Sequence, residues 1–162
     1  MIINGDWVRA QTNAVLQDGA AVDYACSALQ QENFVLHPDR NKNWDSFLAI
    51  SHTIRRAGIN SAVLDAGAGD ESAYLPSLQK WGYTNLLGCN LDRHDDYSAG
   101  IKNGVRQVYA DITATPFPSR CFAFVACLSV IEHGVDWRKF LLEMSRILED
   151  QGDYLSLSTI GP

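Results

Sequence analysis

Short apolar runs alternate with stretches of helical spacing along most of this chain. The runs at Ala62 to Asp65, Asn85 to Leu91, Val105 to Ala110 and Phe122 to Leu128 are each of a length suited to a buried strand. Tyr154 to Ser158 alternates apolar and polar residues and reads as a fifth strand. Between them lie helical patterns. Trp44 to Ala57 puts Phe47, Leu48, Ser51 and Ile54 on one face, with Gly58 as terminator. Ser72 to Trp81 repeats Leu75, Leu78 and Trp81, and Trp137 to Leu148 carries Phe140, Leu141, Met144, Ile147 and Leu148. Asp136 is placed to cap that last helix and Gly152 to stop it. Strand and helix alternate throughout, so right-handed crossovers should build a parallel sheet.

The remaining stretches are weaker. Val22 to Phe34 has a poor helical face, and His37 to Asn43 is a polar, proline-broken loop. Asp92 to Asp96 is a polar break, with a short helix expected before Gly104. The pattern divides the chain into an amino-terminal segment, residues 1–43, and an α/β domain, residues 44–162.

One stretch changes the picture from fold to chemistry. Val63-Leu64-Asp65-Ala66-Gly67-Ala68-Gly69-Asp70 is an apolar strand that meets an acid and breaks into alternating glycines before a helix. Such a turn opens a nucleotide-binding α/β unit, since glycine lets the backbone approach a ligand and a helix start offers free N–H groups. A dinucleotide fingerprint would need a third glycine at position 72, which is Ser72. That disfavours a nicotinamide-dependent oxidoreductase. A tight turn with no ligand is the plainest alternative.

Composition narrows the partners. Hydrophobic residues make up 46% and charged residues 20%, ordinary values for a globular domain. The net charge is −6, and no basic cluster exceeds Arg55-Arg56, so nucleic acid is not an expected partner. No apolar run approaches membrane-spanning length, and Met1 to Asp6 lacks a signal pattern. Cys26, Cys89, Cys121 and Cys127 form no C-x-x-C pair and read as buried free thiols in a reducing cytoplasm.

Asp65-x-Gly67-x-Gly69 resembles the first motif of class I S-adenosylmethionine-dependent methyltransferases. The resemblance extends in order over about residues 60 to 160. Ala110-Asp111-Ile112 to Pro118 resembles the family segment whose acid bonds the adenine amino group. Phe122 to Leu128 resembles its fourth strand, Leu128-Ser129-Val130-Ile131-Glu132-His133 the segment after it, and Phe140 to Leu148 with Gly152-Asp153-Tyr154 its helix and glycine entry to strand five. The resemblance implies a Rossmann-like, doubly wound parallel sheet of order 3-2-1-4-5, lacking the family's last two strands. It implies an enzyme that binds S-adenosyl-L-methionine and methylates a small molecule or other non-nucleic-acid acceptor. The alternative is a non-catalytic cofactor-binding or scaffolding partner subunit. The implied cofactor residues are Asp65, Ala66, Gly67, Ala68 and Gly69 at the methionine end, Asn90, Leu91 and Asp92 at the ribose, Asp111 and Ile112 at the adenine, and Leu128 and Ser129 toward the methyl group. In the family the amino-terminal segment often covers the cofactor, which makes residues 1–43 a candidate lid and His37 a lid residue.

The chain departs from the family pattern in several places, among them Asp70, which stands where many relatives have a third glycine. Asn90 stands where relatives usually have an acid for the ribose hydroxyls, and Asp92, on the same strand parity, is its understudy. Ala123 replaces a common Asp. Ser129 replaces the first Glu of the Glu-x-x-Glu-His metal set of ubiquinone-type O-methyltransferases, so no metal is expected at Glu132 and His133. His133 is then a candidate base or a turn histidine, and no catalytic residue is assigned. Gly161-Pro162 follows directly on strand five, so the edge of that strand is expected to be open and to support a homodimer.

Overall fold

The computed structural model describes residues 16, 18–91, 100–102 and 104–158. Its elements run α1 (Gly19–Gln31), α2 (Lys42–Arg56), β1 (Val63–Ala66), α3 (Tyr74–Trp81), β2 (Leu86–Asn90), β3 (Gly100–Lys102), β4 (Val105–Tyr109), β5 (Phe122–Leu128), α4 (Trp137–Ile147) and β6 (Leu148–Leu157). A short 3-10 turn, Ile131–His133, precedes α4.

The strands form one sheet in the order β3-β4-β2-β1-β5-β6. The five long members pair in parallel, in the 3-2-1-4-5 order expected from the sequence. The sixth is a correction. Gly100–Lys102 pairs antiparallel with β4 at the outer edge, where a short helix was expected. The rest of that stretch, with Asp92, lies outside the described residues, as does Gly161-Pro162.

Because strand side chains alternate, the sheet feeds two separate cores. Val63, Leu86, Val105, Phe124, Ala126 and Leu155 pack under α1, α2 and α3. Leu64, Ala66, Cys89, Val125, Cys127 and Phe122 pack against Phe140, Met144 and Ile147 of α4. Phe122 shares parity with Phe124 yet serves the other face. A register shift between the two residues accounts for this.

Polar links tie the first layer together. Tyr74 Oη lies 2.6 Å from Thr53 Oγ1, and Tyr83 Oη donates to the Ala57 carbonyl at 2.7 Å, joining α2 to α3 and its exit. The weak helical pattern after Val22 is α1. It buries Val22, Ala25, Ala28 and Leu29 and sets Tyr24 edge-on to Phe47 at 5.6 Å. Two further boundaries differ from the sequence reading. α4 ends at Ile147, not Leu148, and β6 starts immediately at Leu148, before Gly152. Of the cysteines, Cys89 and Cys127 are buried, while Cys26 and Cys121 are only half-buried.

Candidate functional site

In a parallel sheet with helices on both faces, ligands bind beyond the carboxyl ends of the strands. Here the ends of β1, β2 and β5 meet the start of α2 around a cavity of about 420 Å³. Asp65, Gly67, Gly69, Asn90, Leu128 and Ser129 all line it. The loops thus bring together six of the residues named from the sequence.

Asp65 is the central group. It is 2% exposed, and its carboxylate accepts a hydrogen bond from Ser72 Oγ at 2.8 Å. Ser72, the residue that breaks the dinucleotide pattern, therefore holds the acid in place. Burial pushes the Asp65 pKa up to about 6, against the opposing effect of the Ser72 hydrogen bond.

The turn that follows is built on close approach. Gly67 has φ +99°, and a Cβ there would stand 2.4 Å from Val130 Cγ2. Gly67 N and Ala68 N both donate to the Cys89 carbonyl, at 2.7 and 3.0 Å. These N–H groups are tied to β2 and are not available to a ligand. α3 begins only at Tyr74. At Gly69 nothing lies within 4 Å of the Cβ position, so bare backbone faces the space. Ala66 and Ala68 are buried behind the turn and do not line the cavity.

Asn90 donates from Nδ2 to the Ala68 carbonyl at 3.2 Å, stitching the end of β2 to the turn. Its amide is thus a structural link as well as a ribose candidate. Leu91 is exposed beyond it, and Asp92 lies outside the described residues. Asp111 sits at the carboxyl end of the neighbouring strand, since Ala110 N donates to Asn90 O at 3.0 Å. Asp111 Oδ1 accepts from Thr113 N and Thr113 Oγ1, both at 2.8 Å, and closes its own turn. Ile112 is buried in the α4-side core. Neither residue lines the cavity. His133 is exposed on the 3-10 turn and is also outside the lining.

Four lining residues come from α2 or the loop before it: His37, Lys42, Asp45 and Ser46. The polar loop carrying His37 is ordered by the buried Asn43. Its side chain accepts from His37 N at 2.8 Å and donates to the carbonyls of His37, Asp39 and Arg40. Asp39 N donates to His37 Nδ1 at 2.9 Å, which leaves the proton of a neutral ring on Nε2.

Asp45 is the functional candidate that the sequence reading missed. Its Oδ2 accepts from Ser129 Oγ at 3.5 Å, and burial lifts its pKa to about 6, with Ser129 and Lys42 opposing. Ser129 reaches it from a left-handed backbone, φ +55°. The only hint in the sequence was an acid in the first turn of a strong helix, which ordinarily serves the helix dipole. With Asp70 and Glu71 also in the lining, four carboxylates and one lysine line the cavity among the described residues. The cavity suits a ligand with positive charge.

A methyltransferase domain family model matches residues 64–156. No match is found among curated proteins. Among solved structures, a Methanococcus maripaludis protein assigned as an S-adenosyl-L-methionine-dependent methyltransferase aligns with a TM-score of 0.60 at 14% identity, covering 93% of this chain and 68% of its own. Geranyl diphosphate C-methyltransferase of Streptomyces coelicolor, solved with Mg2+, geranyl diphosphate and S-adenosyl-L-homocysteine, aligns at 0.57 and 17% identity, over 91% of this chain and 53% of its own. The YcgJ protein of Bacillus subtilis aligns at 0.54 and 24% identity, over 68% and 50%. These likenesses concern the fold, and the chain spans about half the length of the last two. The family match takes in more than half of the chain, from within β1 to within β6, and on that ground the chain belongs to the class I S-adenosylmethionine-dependent methyltransferases.

Proposed function

We propose that this chain binds S-adenosylmethionine at the glycine turn and transfers a methyl group to a small-molecule or other non-nucleic-acid acceptor. The observation that carries the reading is the buried Asp65 carboxylate on an acidic cavity beside the open backbone of Gly69. The bound cofactor supplies a methyl group on a sulfonium whose leaving group is already good. What remains for the protein is chiefly positioning. Asp65 attracts the cationic methionine end and stays fixed through Ser72. Asn90 or Asp92 meets the ribose, and Asp111 with Ile112 meets the adenine. Leu128 and Ser129 form the wall toward the acceptor.

The hydrogen bond between Ser129 and Asp45 supports an acceptor-side role for Asp45. With a pKa near 6 it is ionised at neutral pH. It can take the proton that an acceptor O–H or N–H gives up as the methyl is transferred. The net charge of −6 argues against a nucleic-acid acceptor. That the similar geranyl diphosphate C-methyltransferase acts on a small molecule supports this choice of acceptor class. We assign the enzyme to the cytoplasm on the basis of its unpaired cysteines.

Calorimetry tests the reading. S-adenosylmethionine and its demethylated product should bind, and NAD should not. Asp65→Asn should weaken binding at least about tenfold, the scale of a lost charge-assisted hydrogen bond. Tight NAD binding with no response to either sulfur nucleoside would overturn it. Asp45→Asn should leave product binding near that of the parent while lowering turnover. A second reading, a non-catalytic cofactor-binding subunit, draws support from Asn90, whose amide is committed to Ala68. It predicts cofactor binding without methyl transfer to any acceptor, and Asp45→Asn then changes nothing.

A further inference from the structure

The imidazole of His37 lines the same cavity as Asp45 and Ser129. The sequence around it, His37-Pro38-Asp39-Arg40-Asn41-Lys42-Asn43, is a polar loop that runs into the first turn of α2. One buried side chain holds the loop. Asn43, 2% exposed, accepts from His37 N at 2.8 Å and donates to the carbonyls of His37, Asp39 and Arg40 at 3.0, 3.3 and 3.1 Å. Asp45 follows two residues later on the same helix. His37 and Asp45 therefore belong to one hydrogen-bonded frame, on either side of Asn43.

The loop also decides which edge of the imidazole is free. Asp39 N donates to His37 Nδ1 at 2.9 Å, so the neutral ring carries its proton on Nε2. That N–H has no hydrogen-bond partner among the described residues. Asp45 is engaged by Ser129 through Oδ2, which leaves Oδ1. The two groups ask different things of one acceptor atom. Asp45 needs a proton to take, and the Nε2–H needs a lone pair. The methyl group needs another lone pair on that atom. A neutral amine has only one, and a carbon nucleophile has none to spare. A hydroxyl oxygen has two lone pairs and a proton.

We propose that the methyl acceptor is a hydroxyl group of phenol or enol type, held between His37 Nε2–H and the Asp45 carboxylate, with His37 selecting oxygen over nitrogen. The inference rests on the methyl-transfer reading of this site. The hydroxyl oxygen bonds to the methyl carbon as the bond from that carbon to sulfur breaks. The hydroxyl proton passes to Asp45, and S-adenosylhomocysteine leaves. His37 keeps its proton throughout. Asp45, with a pKa of about 6, is a weak base. A phenol, at about 10, yields a proton to it more readily than an aliphatic alcohol does.

The full-length chain, saturated with S-adenosylhomocysteine, can be titrated with phenol in one series and aniline in another. The Ser129 amide, held by Leu157 O at 2.8 Å, reports occupancy by NMR. Both probes can donate to Asp45, but only the phenol oxygen accepts well from Nε2–H. We expect saturation with phenol at a Kd at least about tenfold below that for aniline, the scale of one hydrogen bond. His37→Ala should abolish the preference, and His37→Gln, which keeps an N–H donor, should restore part of it. A linear response to phenol, equal affinities in the parent, or a preference unchanged in His37→Ala overturns the proposal. Calorimetry separates the two readings: S-adenosylhomocysteine that binds with any of these outcomes sinks only the hydroxyl assignment, whereas S-adenosylhomocysteine that does not bind sinks both.

Discussion

Asp65 sets function against stability in a single side chain. Its folded pKa of about 6 lies above the 3.8 of an unperturbed aspartate. The native state therefore holds the proton more tightly than the unfolded chain does. The stability from the protonated form is complete below pH 4 and is lost as pH rises to about 6. At neutral pH the buried charge costs about 3 kcal/mol. Asp65→Asn should thus raise unfolding stability in urea at pH 7 by up to that amount while weakening cofactor binding. A variant that is less stable than the parent at pH 7 contradicts this account. Affinity for the cationic cofactor should also fall as pH drops through 6, because Asp65 becomes neutral. Gly67 carries a separate cost. Gly67→Ala meets two penalties, a positive φ worth about 1–2 kcal/mol and a contact with Val130. Adding Val130→Ala should relieve the contact and leave the backbone share, which a double-mutant cycle reads directly.

Among the elements, α4 governs the segment between β4 and β5. Glu143 is buried on α4 and accepts from Thr115 N at 2.7 Å and from Arg146 Nε at 2.8 Å. Arg146 also donates to the Phe117 carbonyl at 2.9 Å. The pair pins this loop, which begins next to Asp111, to the helix. The Arg146 hydrogen bond, followed by those from Thr115, lowers the Glu143 pKa to about 2 against the effect of burial. Here the sign is opposite to that of Asp65. The stabilisation is present above pH 4.5 and disappears as pH falls through 2. Glu143→Gln should cost about 1–3 kcal/mol at pH 7, since buried donors lose a charged acceptor. The deficit relative to the parent should shrink on acidification and vanish near pH 2. A deficit independent of pH would assign Glu143 a packing role instead.

At the scale of the whole molecule, β6 lies at the end of the sheet, paired with β5 on one side and, among the described residues, with no strand on the other. An open edge is a template for another strand. We expect concentration-dependent self-association in sedimentation at micromolar concentrations. Ser156→Pro, which removes an outward N–H, should shift the balance to monomer. A monomer at every concentration, in parent and variant alike, would mean that the edge is covered. Among the described residues no helix is long and apolar enough to cross a membrane.

Much of this was open to reading in the chain itself. The short apolar runs and helical faces determined β1, β2, β4, β5 and α2 to within two residues, because periodicity is local and burial on both faces leaves little else for such runs to do. The Asp65 glycine turn was legible for the same reason: its geometry is set by consecutive residues. Two features needed the tertiary structure. Gly100–Lys102 is a strand only because β4 offers it an edge. Asp45 becomes a site residue only because α2 starts beside the end of β5, which brings it to Ser129 across 84 positions of sequence. Short-range order is written in neighbouring residues, whereas a pKa or an unmet hydrogen bond depends on which distant side chains the packing brings near.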